Sequence, residues 1–251
     1  MDKRQIKKHR EFLKDSLRRT IDFRRTDQNR GVSVPSLQKP IEKDQQLIEL
    51  PGAEAWEKFR GTDLLDAIIN RQSLRRFATQ ELPLAELAFL LWMSQGIKKE
   101  LTPGSALRTV PSAGCRHPFE TYLLVTRVAG LAAGVYRYLP LEHALVQETT
   151  DPDLKEKIAP ATLGQTFIAA APVVFAWTVL PYRTEWRYHT SAHRVILLDA
   201  GHVCQNLYLA CEAIGCGTCA VAAYHQELMD QLLGVDGKDE FTVYLAPVGK
   251  R

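Results

Sequence analysis

The chain has 251 residues, of which 45% are hydrophobic and 24% are charged, as is ordinary for a globular protein with a substantial core. A net charge of only +3 excludes a molecule that binds polyanions over its whole surface. Five cysteines in a chain of this length do not suggest a disulfide scaffold, and the charged N-terminus lacks the apolar segment of a secretory signal. We therefore expect a cytoplasmic protein with reduced thiols and no membrane contact.

Residues 1–30 form a basic arm, because they contain eleven Lys and Arg against five Asp and Glu. Residues 1–24 have the pattern of an amphipathic helix, with Phe12, Leu13, Leu17 and Ile21 on one stripe. We favour an arm that packs on its own domain or on a partner subunit. Contact with nucleic acid or acidic lipid is the less favoured alternative, because no recognised DNA-binding motif accompanies the arm.

The next part of the chain, up to residue 60, contains three prolines and little periodicity. This composition indicates a connector that wraps the surface rather than a separate domain. We therefore divide the chain into an N-terminal helix with its connector, residues 1–60, and a single domain over residues 61–251.

Within that domain, hydrophobic periodicity and turn residues predict a mixture of helices and strands. Asp63 caps the first helix with Asp66 at the capping-box position, and a second helix begins at Pro83 and ends at Gly96. Residues 98–117 are expected to form a loop. The predicted helices cover 63–70, 84–95, 151–158, 164–171 and 226–233, and the predicted strands cover 119–127, 135–139, 144–148, 173–179 and 241–247. Because strands and helices do not alternate strictly, the pattern favours an α+β fold around a mostly antiparallel sheet.

A stretch over residues 191–224 organises the rest of the domain. Its first part is a long helix with apolar residues on nearly every face, which predicts burial at a domain centre or against a second subunit. Gly215 ends this helix, because glycine accepts the left-handed C-terminal position without a Cβ penalty. The run over 217–224 is extended and has small side chains, so its backbone N–H groups can approach a flat ligand closely.

Two groups of cations are candidates for anion binding. Arg71, Ser73 and Arg75 alternate after the first helix, and in an extended chain such side chains point the same way, which suits a phosphate. Lys250 and Arg251 follow the last strand. Either group alone is usually solvated surface charge, and that interpretation stays open.

A third candidate is the segment from Pro111 to Pro118, in which small residues stand between two prolines. Such a loop can lie flat against a planar ligand, although a plain turn is favoured when the segment is taken by itself. No metal ion is predicted. His189 and His193 are four positions apart but show no HExxH pattern, and the cysteines at 211, 216 and 219 favour core packing over an iron–sulfur cluster.

Five segments match one enzyme family in their order and spacing. They are RQSLRRF at 71–77, PSAGCRHPFETYLLV at 111–125, APVVF at 171–175, HRVILLDAGHVCQNLYLACEAIGCGTCAV at 193–221 and LAPVGK at 245–250. Over about residues 60–251 the chain resembles the nitroreductase-like FMN enzymes, and most closely the SagB-type dehydrogenases. No single motif is decisive, whereas five in the same order are specific.

The resemblance implies an FMN-dependent oxidoreductase with a nitroreductase-like fold. It also implies an obligate homodimer, with FMN at the subunit interface and the long helix in the dimer core. The implied kinetics are ping-pong: a reductant leaves two electrons on the flavin, and an acceptor then takes them. NADH, NADPH or an organic substrate could be the donor, and the substrate is a small molecule or a peptide. The cofactor-binding residues implied by the resemblance are Arg71, Ser73, Arg75, Pro111, Ser112, Ala113, Gly114, Ala222, Ala223, Lys250 and Arg251.

The resemblance also distributes roles within this set. Arg71 and Ser73 would bind the FMN phosphate and ribityl end. Lys250 and Arg251 would close over the phosphate. Arg75 would lie at the pyrimidine edge of the flavin, where a fixed cation stabilises the negative charge of the reduced ring.

The remaining implied residues surround the flavin ring. Residues 111–114 of the neighbouring subunit would contact the ring, and the backbone around Ala222 and Ala223 would face the flavin N5. In azoline-oxidising members a lysine–tyrosine pair is linked to catalysis, and the matching dipeptide here is Arg187-Tyr188. Because arginine stays protonated, it cannot serve as a base, which puts azoline oxidation in doubt, although Tyr188 could still act as an acid.

The leading hypothesis is therefore an FMN oxidoreductase that transfers two electrons. The alternative is a flavin-binding protein without turnover of its own, such as a sensor, a carrier or a maturation subunit, which the Arg187 departure and the basic arm motivate. Cys115 would lie on the substrate side of the flavin if its loop covers the ring, although simple packing is favoured. The substrate and the electron donor stay open, because variable loops shape the pocket in this fold.

Overall fold

The computed structural model describes residues 3–42, 44–59 and 61–251. The helices are α1 (Lys3–Arg10), α2 (Leu64–Asn70), α3 (Leu84–Gln95), α4 (Leu154–Ala161), α5 (Thr166–Ala170), α6 (Tyr182–Tyr188), α7 (Ala192–Ala213) and α8 (Gln226–Leu233). The strands are β1 (Leu47–Glu49), β2 (Ile97–Thr102), β3 (Ser105–Arg108), β4 (Phe119–Val125), β5 (Gly134–Leu139), β6 (Ala144–Thr150), β7 (Val173–Val179), β8 (Cys216–Thr218) and β9 (Phe241–Lys250).

A seven-stranded sheet forms the centre of the fold, in the order β1–β6–β5–β4–β7–β9–β8. Each pair of neighbouring strands in this order is antiparallel. The predicted α+β fold with a mostly antiparallel sheet flanked by helices is therefore confirmed.

Both faces of the sheet are covered, which is why the side chains of its central strands β4, β5 and β7 are buried along their whole length. Alternate side chains of a strand point to opposite faces. On β4, Leu123 and Val125 pack in a cluster with α3 and α7, whereas Tyr122 and Leu124 pack in a second cluster with α4, α5 and α8. The result is a sheet between two helical layers, with α7 at the centre of the larger one.

The predicted helix over 84–95 and the predicted strand over 173–179 are confirmed with the same bounds, and so is the helix over 226–233. Asp63 caps α2 as predicted, because its side chain accepts hydrogen bonds from the N–H groups of Leu65 and Asp66. Gly215 follows Ile214, the C-terminal cap of α7, and has a φ of +64°, as the C-terminal glycine prediction requires.

The prediction of a loop over 98–117 is wrong for its first half. Residues 97–108 form the antiparallel hairpin β2–β3, with its turn at Pro103 and Gly104. Nearly every side chain of β2 is exposed, so the strand has no alternation of apolar and polar residues that could have indicated it.

The prediction of one helix over residues 1–24 is also wrong. The helix α1 ends at Arg10, and short 3-10 turns follow it. Phe12, Leu13 and Leu17 are exposed, so no packing holds a continuous amphipathic helix together. The arm contacts the body where Asp15 pairs with Arg194 at 3.4 Å, at the start of α7.

The connector contributes a strand and buried side chains to the folded domain. Its strand β1 pairs with β6 at the edge of the sheet, and its side chains Leu37 and Trp56 are buried. Among the described residues, no helix is both long enough and apolar enough to cross a membrane.

Candidate functional site

The loop after α2 lies against the end of the central sheet. Ser73 forms a parallel bridge with Thr218 of β8, and the N–H of Leu74 donates to the Thr218 carbonyl at 2.8 Å. A Cβ at Gly217 would lie 2.6 Å from the Leu74 side chain, so only glycine permits this close approach. The N–H of Ala78 donates to the carbonyl of Lys250 at 2.9 Å, which brings the loop beside the C-terminal end of β9.

Tyr208 of α7 connects this loop to the run of small residues after β8. Its hydroxyl lies 3.0 Å from Ser73 Oγ and accepts a hydrogen bond from the N–H of Ala220 at 2.8 Å. The guanidinium of Arg71 lies 5.3 Å from the centroid of the Tyr208 ring. The structure therefore brings Arg71, Ser73 and the Ala220 corner together around one tyrosine.

Tyr208 was not among the residues predicted from the sequence. The residue is the only aromatic one in α7, and its side chain is 8% exposed. A single tyrosine among the apolar residues of a helix predicted to be buried was the available signal, because a buried tyrosine hydroxyl usually has a hydrogen-bond partner.

Arg75 and the pair Ala222–Ala223 lie near α5. The Arg75 guanidinium is 6.0 Å from the ring centroid of Phe167, and Gln165 Nε2, just before α5, donates to the carbonyl of Ala223 at 2.7 Å. Both alanines are exposed. Their N–H groups donate to no acceptor within the described ranges, so both remain open to a ligand.

Lys250 and Arg251 are already engaged by carboxylates. Lys250 Nζ lies 2.7 Å from Glu86 and donates to the carbonyl of Ile214 at 2.7 Å. Arg251 pairs with Glu212. Their backbone is close to the Arg71–Ser73 loop, yet their charges are partly neutralised by their own chain.

Residues 111–114 are anchored to α7 through Asp199. The Asp199 carboxylate is buried and accepts hydrogen bonds from Ser112 Oγ at 2.6 Å and from the N–H of Ala113 at 3.1 Å. Pro111 is exposed at the start of this segment, and Ser112 Oγ in turn accepts from the N–H of His117 at 2.9 Å.

The same segment contacts the end of α6. Gly114 has a φ of +60°, and a Cβ there would lie 2.7 Å from the Tyr188 hydroxyl and 2.8 Å from the Arg187 side chain. Glycine is therefore required both by the backbone conformation and by the close approach of these two side chains. The structure places Arg187 and Tyr188 beside residues 111–114, and Cys115, which follows them, is partly buried.

The two groups of predicted residues lie on different sides of α7. Asp199 and Tyr208 are nine positions apart, which on an α-helix corresponds to a rotation of about 180° and a rise of about 13 Å. The group held by Asp199 and the group held by Tyr208 therefore lie on opposite faces of α7.

The buried carboxyl of Asp199 should make the stability of the protein depend on pH. Burial raises the pKa of the Asp199 carboxyl above its usual 3.8, although the hydrogen bonds from Ser112 and Ala113 oppose the rise. Its contribution to stability is therefore complete below pH 3.8 and is lost as the pH rises through the higher pKa of the folded protein. The Asp199→Asn variant does not titrate at this position. We expect the free energy of unfolding of Asp199→Asn, minus that of the wild type, to increase as the pH rises. The total increase is about 1.4 kcal/mol for each unit by which folding raises the pKa of Asp199 in the wild type.

Urea unfolding of both proteins at several pH values from 3 to 7 checks this expectation. A difference that stays constant over the range, or that decreases as the pH rises, would contradict it.

The comparison with known proteins identifies the family. A model of the nitroreductase family matches residues 68–250, which is well over half of the chain. The chain belongs to the nitroreductase family. The resemblance expected from the five sequence segments is confirmed, and members of this family are typically FMN-dependent oxidoreductases.

Two relatives and one solved structure show the range of similarity. MJ1384 of Methanocaldococcus jannaschii, a protein named as a nitroreductase, is 34% identical over 208 residues, which are 83% of this chain and 98% of that protein. The trifolitoxin-processing protein TfxB of Rhizobium leguminosarum is 30% identical over 51% of this chain and 36% of its own length. A crystal structure from Ralstonia eutropha, also named as a nitroreductase, has a TM-score of 0.67 at 23% identity and covers 86% of this chain and 96% of that one.

Membership in the nitroreductase family gives the geometry a chemical interpretation. FMN, which members of this family typically use, has an anionic tail and a planar ring. The residues around Tyr208 offer a guanidinium and a hydroxyl, and Ala222 and Ala223 offer free backbone N–H groups. The residues around Asp199 offer a flat segment of backbone beside a tyrosine hydroxyl.

Proposed function

We propose that the chain is an FMN-dependent oxidoreductase that transfers two electrons by a ping-pong mechanism, with residues 61–251 as its FMN-binding domain. The observation that carries the proposal is the convergence of Arg71, Ser73 and the Ala220 corner on Tyr208. That convergence joins the segment expected at the phosphate end of FMN to the segment expected at the ring.

The residues around Tyr208 fit FMN because several of their charged and polar groups lack an ion-pair or hydrogen-bond partner among the described residues. Arg71 and Arg75 form no ion pair with a carboxylate in the described part of the chain. The hydroxyl of Thr218, the bridge partner of Ser73, is buried and has no hydrogen-bond partner among the described residues. A phosphate brings the charge and the acceptor oxygens that such a cluster lacks.

Each part of the cluster has its own task in this proposal. Bound FMN supplies the hydride chemistry, which no side chain of the protein can perform. Arg71 and Ser73 bind the phosphate and ribityl end, and Arg75 places a positive charge at the pyrimidine edge, where it stabilises the negative charge gained on reduction. The N–H groups of Ala222 and Ala223 orient the ring from the side of N5.

Lys250 and Arg251 would take part only after a rearrangement. To close over the phosphate, Lys250 must leave Glu86, and Arg251 must leave Glu212. Because an ion pair has to break, we expect each of them to add less binding free energy than Arg71, whose guanidinium has no carboxylate to leave.

The segment at 111–114 and Tyr188 form the part of the site that faces the substrate. Tyr188 can donate a proton from its hydroxyl, whereas Arg187, whose guanidinium lies 5.6 Å from the Tyr188 ring centroid, cannot accept one. NADH, NADPH or an organic substrate reduces the flavin in this proposal, and the substrate is a small molecule or a peptide. The peptide possibility is supported by the name of TfxB, a processing protein for trifolitoxin.

We further propose that the enzyme is a cytoplasmic homodimer with FMN at the subunit interface. Because Asp199 and Tyr208 hold their groups on opposite faces of α7, one chain cannot close both groups on the same flavin, whereas two chains related by a two-fold axis can. A second support is an exposed apolar surface formed by α2 and α7. It consists of Leu64, Leu65, Ile68, Ile69, Leu197 and Leu198.

The homodimer can be tested at Leu198, which is 53% exposed in the single chain. Burying that half of the side chain contributes roughly 1 kcal/mol, and a two-fold interface counts each residue twice. We therefore expect Leu198→Ala to raise the dimer dissociation constant by about 10- to 30-fold. Sedimentation equilibrium measures this constant, with Leu141→Ala as a control, because Leu141 is 41% exposed in the turn between β5 and β6. Equal constants for the two variants would contradict the proposed interface.

The purified protein provides the direct test of function. We expect a yellow protein with the absorption of a flavin, which NAD(P)H bleaches and which a quinone or nitroaromatic compound restores over many turnovers. A colourless protein that takes up no added FMN would refute the proposal. Flavin binding without steady-state turnover would instead favour the sensor, carrier or maturation subunit that the Arg187 departure motivates.

A further inference from the structure

Tyr208 has a hydrogen-bonding pattern that determines where its proton lies. An amide N–H only donates, so the phenol oxygen is the acceptor in its 2.8 Å contact with Ala220. The phenol has a single proton of its own, and Ser73 Oγ at 3.0 Å is the hydrogen-bond partner within reach among the described residues. Because a phenol is a stronger acid than an alkyl hydroxyl, Tyr208 donates to Ser73 in this pair.

This direction leaves the Ser73 proton unused by the chain. Ser73 Oγ accepts from Tyr208, and within the described ranges its own O–H has no other protein partner. The Ser73 side chain is exposed, so this proton is available to a ligand. Hydrogen bonds that form a chain polarise one another. The Ser73 hydroxyl, as the last donor of this chain, is therefore a stronger hydrogen-bond donor than an isolated hydroxyl.

Arg71 lies on the same tyrosine. Its guanidinium is 5.3 Å from the ring centroid, within the range of a cation–π interaction. Tyr208 therefore limits the positions of two side chains expected at the anionic end of the cofactor, and it does so from a helix in the core of the protein.

We propose that Tyr208 is a positioning residue of the cofactor site, which directs the Ser73 hydroxyl proton at an anionic oxygen of FMN through a relay from Ala220 N–H to Tyr208 to Ser73. The inference rests on the proposed function, since the acceptor is the phosphate or ribityl end of the bound cofactor. The relay involves no net proton transfer, because each oxygen keeps its own hydrogen.

A double-mutant cycle in FMN binding tests the relay. The Tyr208→Phe variant removes the relay hydroxyl and keeps the ring under Arg71, and Ser73→Ala removes the final donor. We expect each single variant to weaken FMN binding by about tenfold. The double variant should lose clearly less affinity than the product of the two single losses, because the Tyr208 hydroxyl reaches the anionic end of FMN through Ser73. FMN titrations of the full-length proteins, followed by the quenching of flavin fluorescence, measure all four affinities.

Tyr136→Phe is the matched control. The Tyr136 hydroxyl also makes two hydrogen bonds, donating to the carbonyl of Ala132 at 2.8 Å and accepting from Gln147 at 3.1 Å, but it lies on β5. Its loss should leave the FMN affinity unchanged. Hydrogen exchange of the Ala220 amide in the flavin-free protein gives an independent readout, and we expect faster exchange in Tyr208→Phe than in the wild type.

The outcomes separate the relay from the proposed function. A wild type that binds no FMN overturns both. A wild type that binds FMN, with Tyr208→Phe unchanged or with losses that multiply in the double variant, overturns the relay and leaves the oxidoreductase intact.

Discussion

Replacement of Arg71 by alanine is expected to weaken FMN binding by about 10- to 100-fold. A hydrogen bond between a guanidinium and a charged acceptor contributes about 1.5–3 kcal/mol, which corresponds to that range. Arg71 is suited to deliver this energy, because its guanidinium rests over Tyr208 and pairs with no carboxylate among the described residues. The phosphate therefore does not have to displace an ion pair before it can bind.

Arg76→Ala is the control for this prediction. It removes the same charge from the same loop, five positions along the chain, from a side chain that is exposed, whereas Arg71 is partly buried. We expect Arg76→Ala to change FMN affinity little, and Lys250→Ala to fall between the two because Lys250 must first leave Glu86. Titration of the flavin-free proteins with FMN at a fixed salt concentration compares the three variants. Equal losses for Arg71→Ala and Arg76→Ala would mean that only the net charge of the loop matters.

The sequence allowed those parts of the fold to be predicted that depend on local pattern. The helix over 84–95 lies between a proline and a glycine, and the strand over 173–179 is a β-branched and aromatic run, so both could be placed to the residue. The hairpin β2–β3 could not, because its side chains are mostly exposed and its backbone pairing leaves no hydrophobic period.

The candidate site likewise has a part that local sequence pattern predicts and a part that only the tertiary structure reveals. The alternation of Arg71, Ser73 and Arg75 is visible in seven letters of sequence, whereas the hydrogen-bond partner of Ser73 lies 135 residues away. Likewise, nothing beside Lys250 in the sequence indicates that Glu86, 164 residues away, holds its ammonium group. Residue type and spacing indicate which groups could bind an anion, but only the tertiary structure decides which of those groups are free to do so.

A second large effect is expected in stability rather than in binding, at Glu120 on β4. Glu120 is 2% exposed, and its Oε1 lies 2.5 Å from the guanidinium of Arg183, which is 3% exposed. The same oxygen accepts from the N–H of Lys39 at 2.9 Å, and Oε2 lies 4.0 Å from Arg137. One buried carboxylate thus ties the connector, the sheet and α6 together.

Glu120→Ala is expected to lower the free energy of unfolding by about 3–5 kcal/mol. Removing one partner of a buried ion pair leaves the other charge without compensation and without water. Arg183 has no carboxylate other than Glu120 in the described part of the chain, and its Nη1 already lacks a hydrogen-bond partner there. Urea unfolding of the flavin-free variant and wild type measures the difference.

The control is a pair of the same charges at the surface. Glu11 and Lys14 lie 2.7 Å apart with more than half of each side chain exposed, so Glu11→Ala should change stability little.

The loss of Glu120 should also affect the candidate functional site. Arg116, which follows residues 111–114, donates from Nε to the carbonyl of Arg183 at 3.1 Å, and Arg183 lies on the helix that ends at Tyr188. Glu120→Ala should therefore speed hydrogen exchange in α6 before the protein unfolds, whereas exchange confined to global unfolding would show that α6 is held by its other contacts alone.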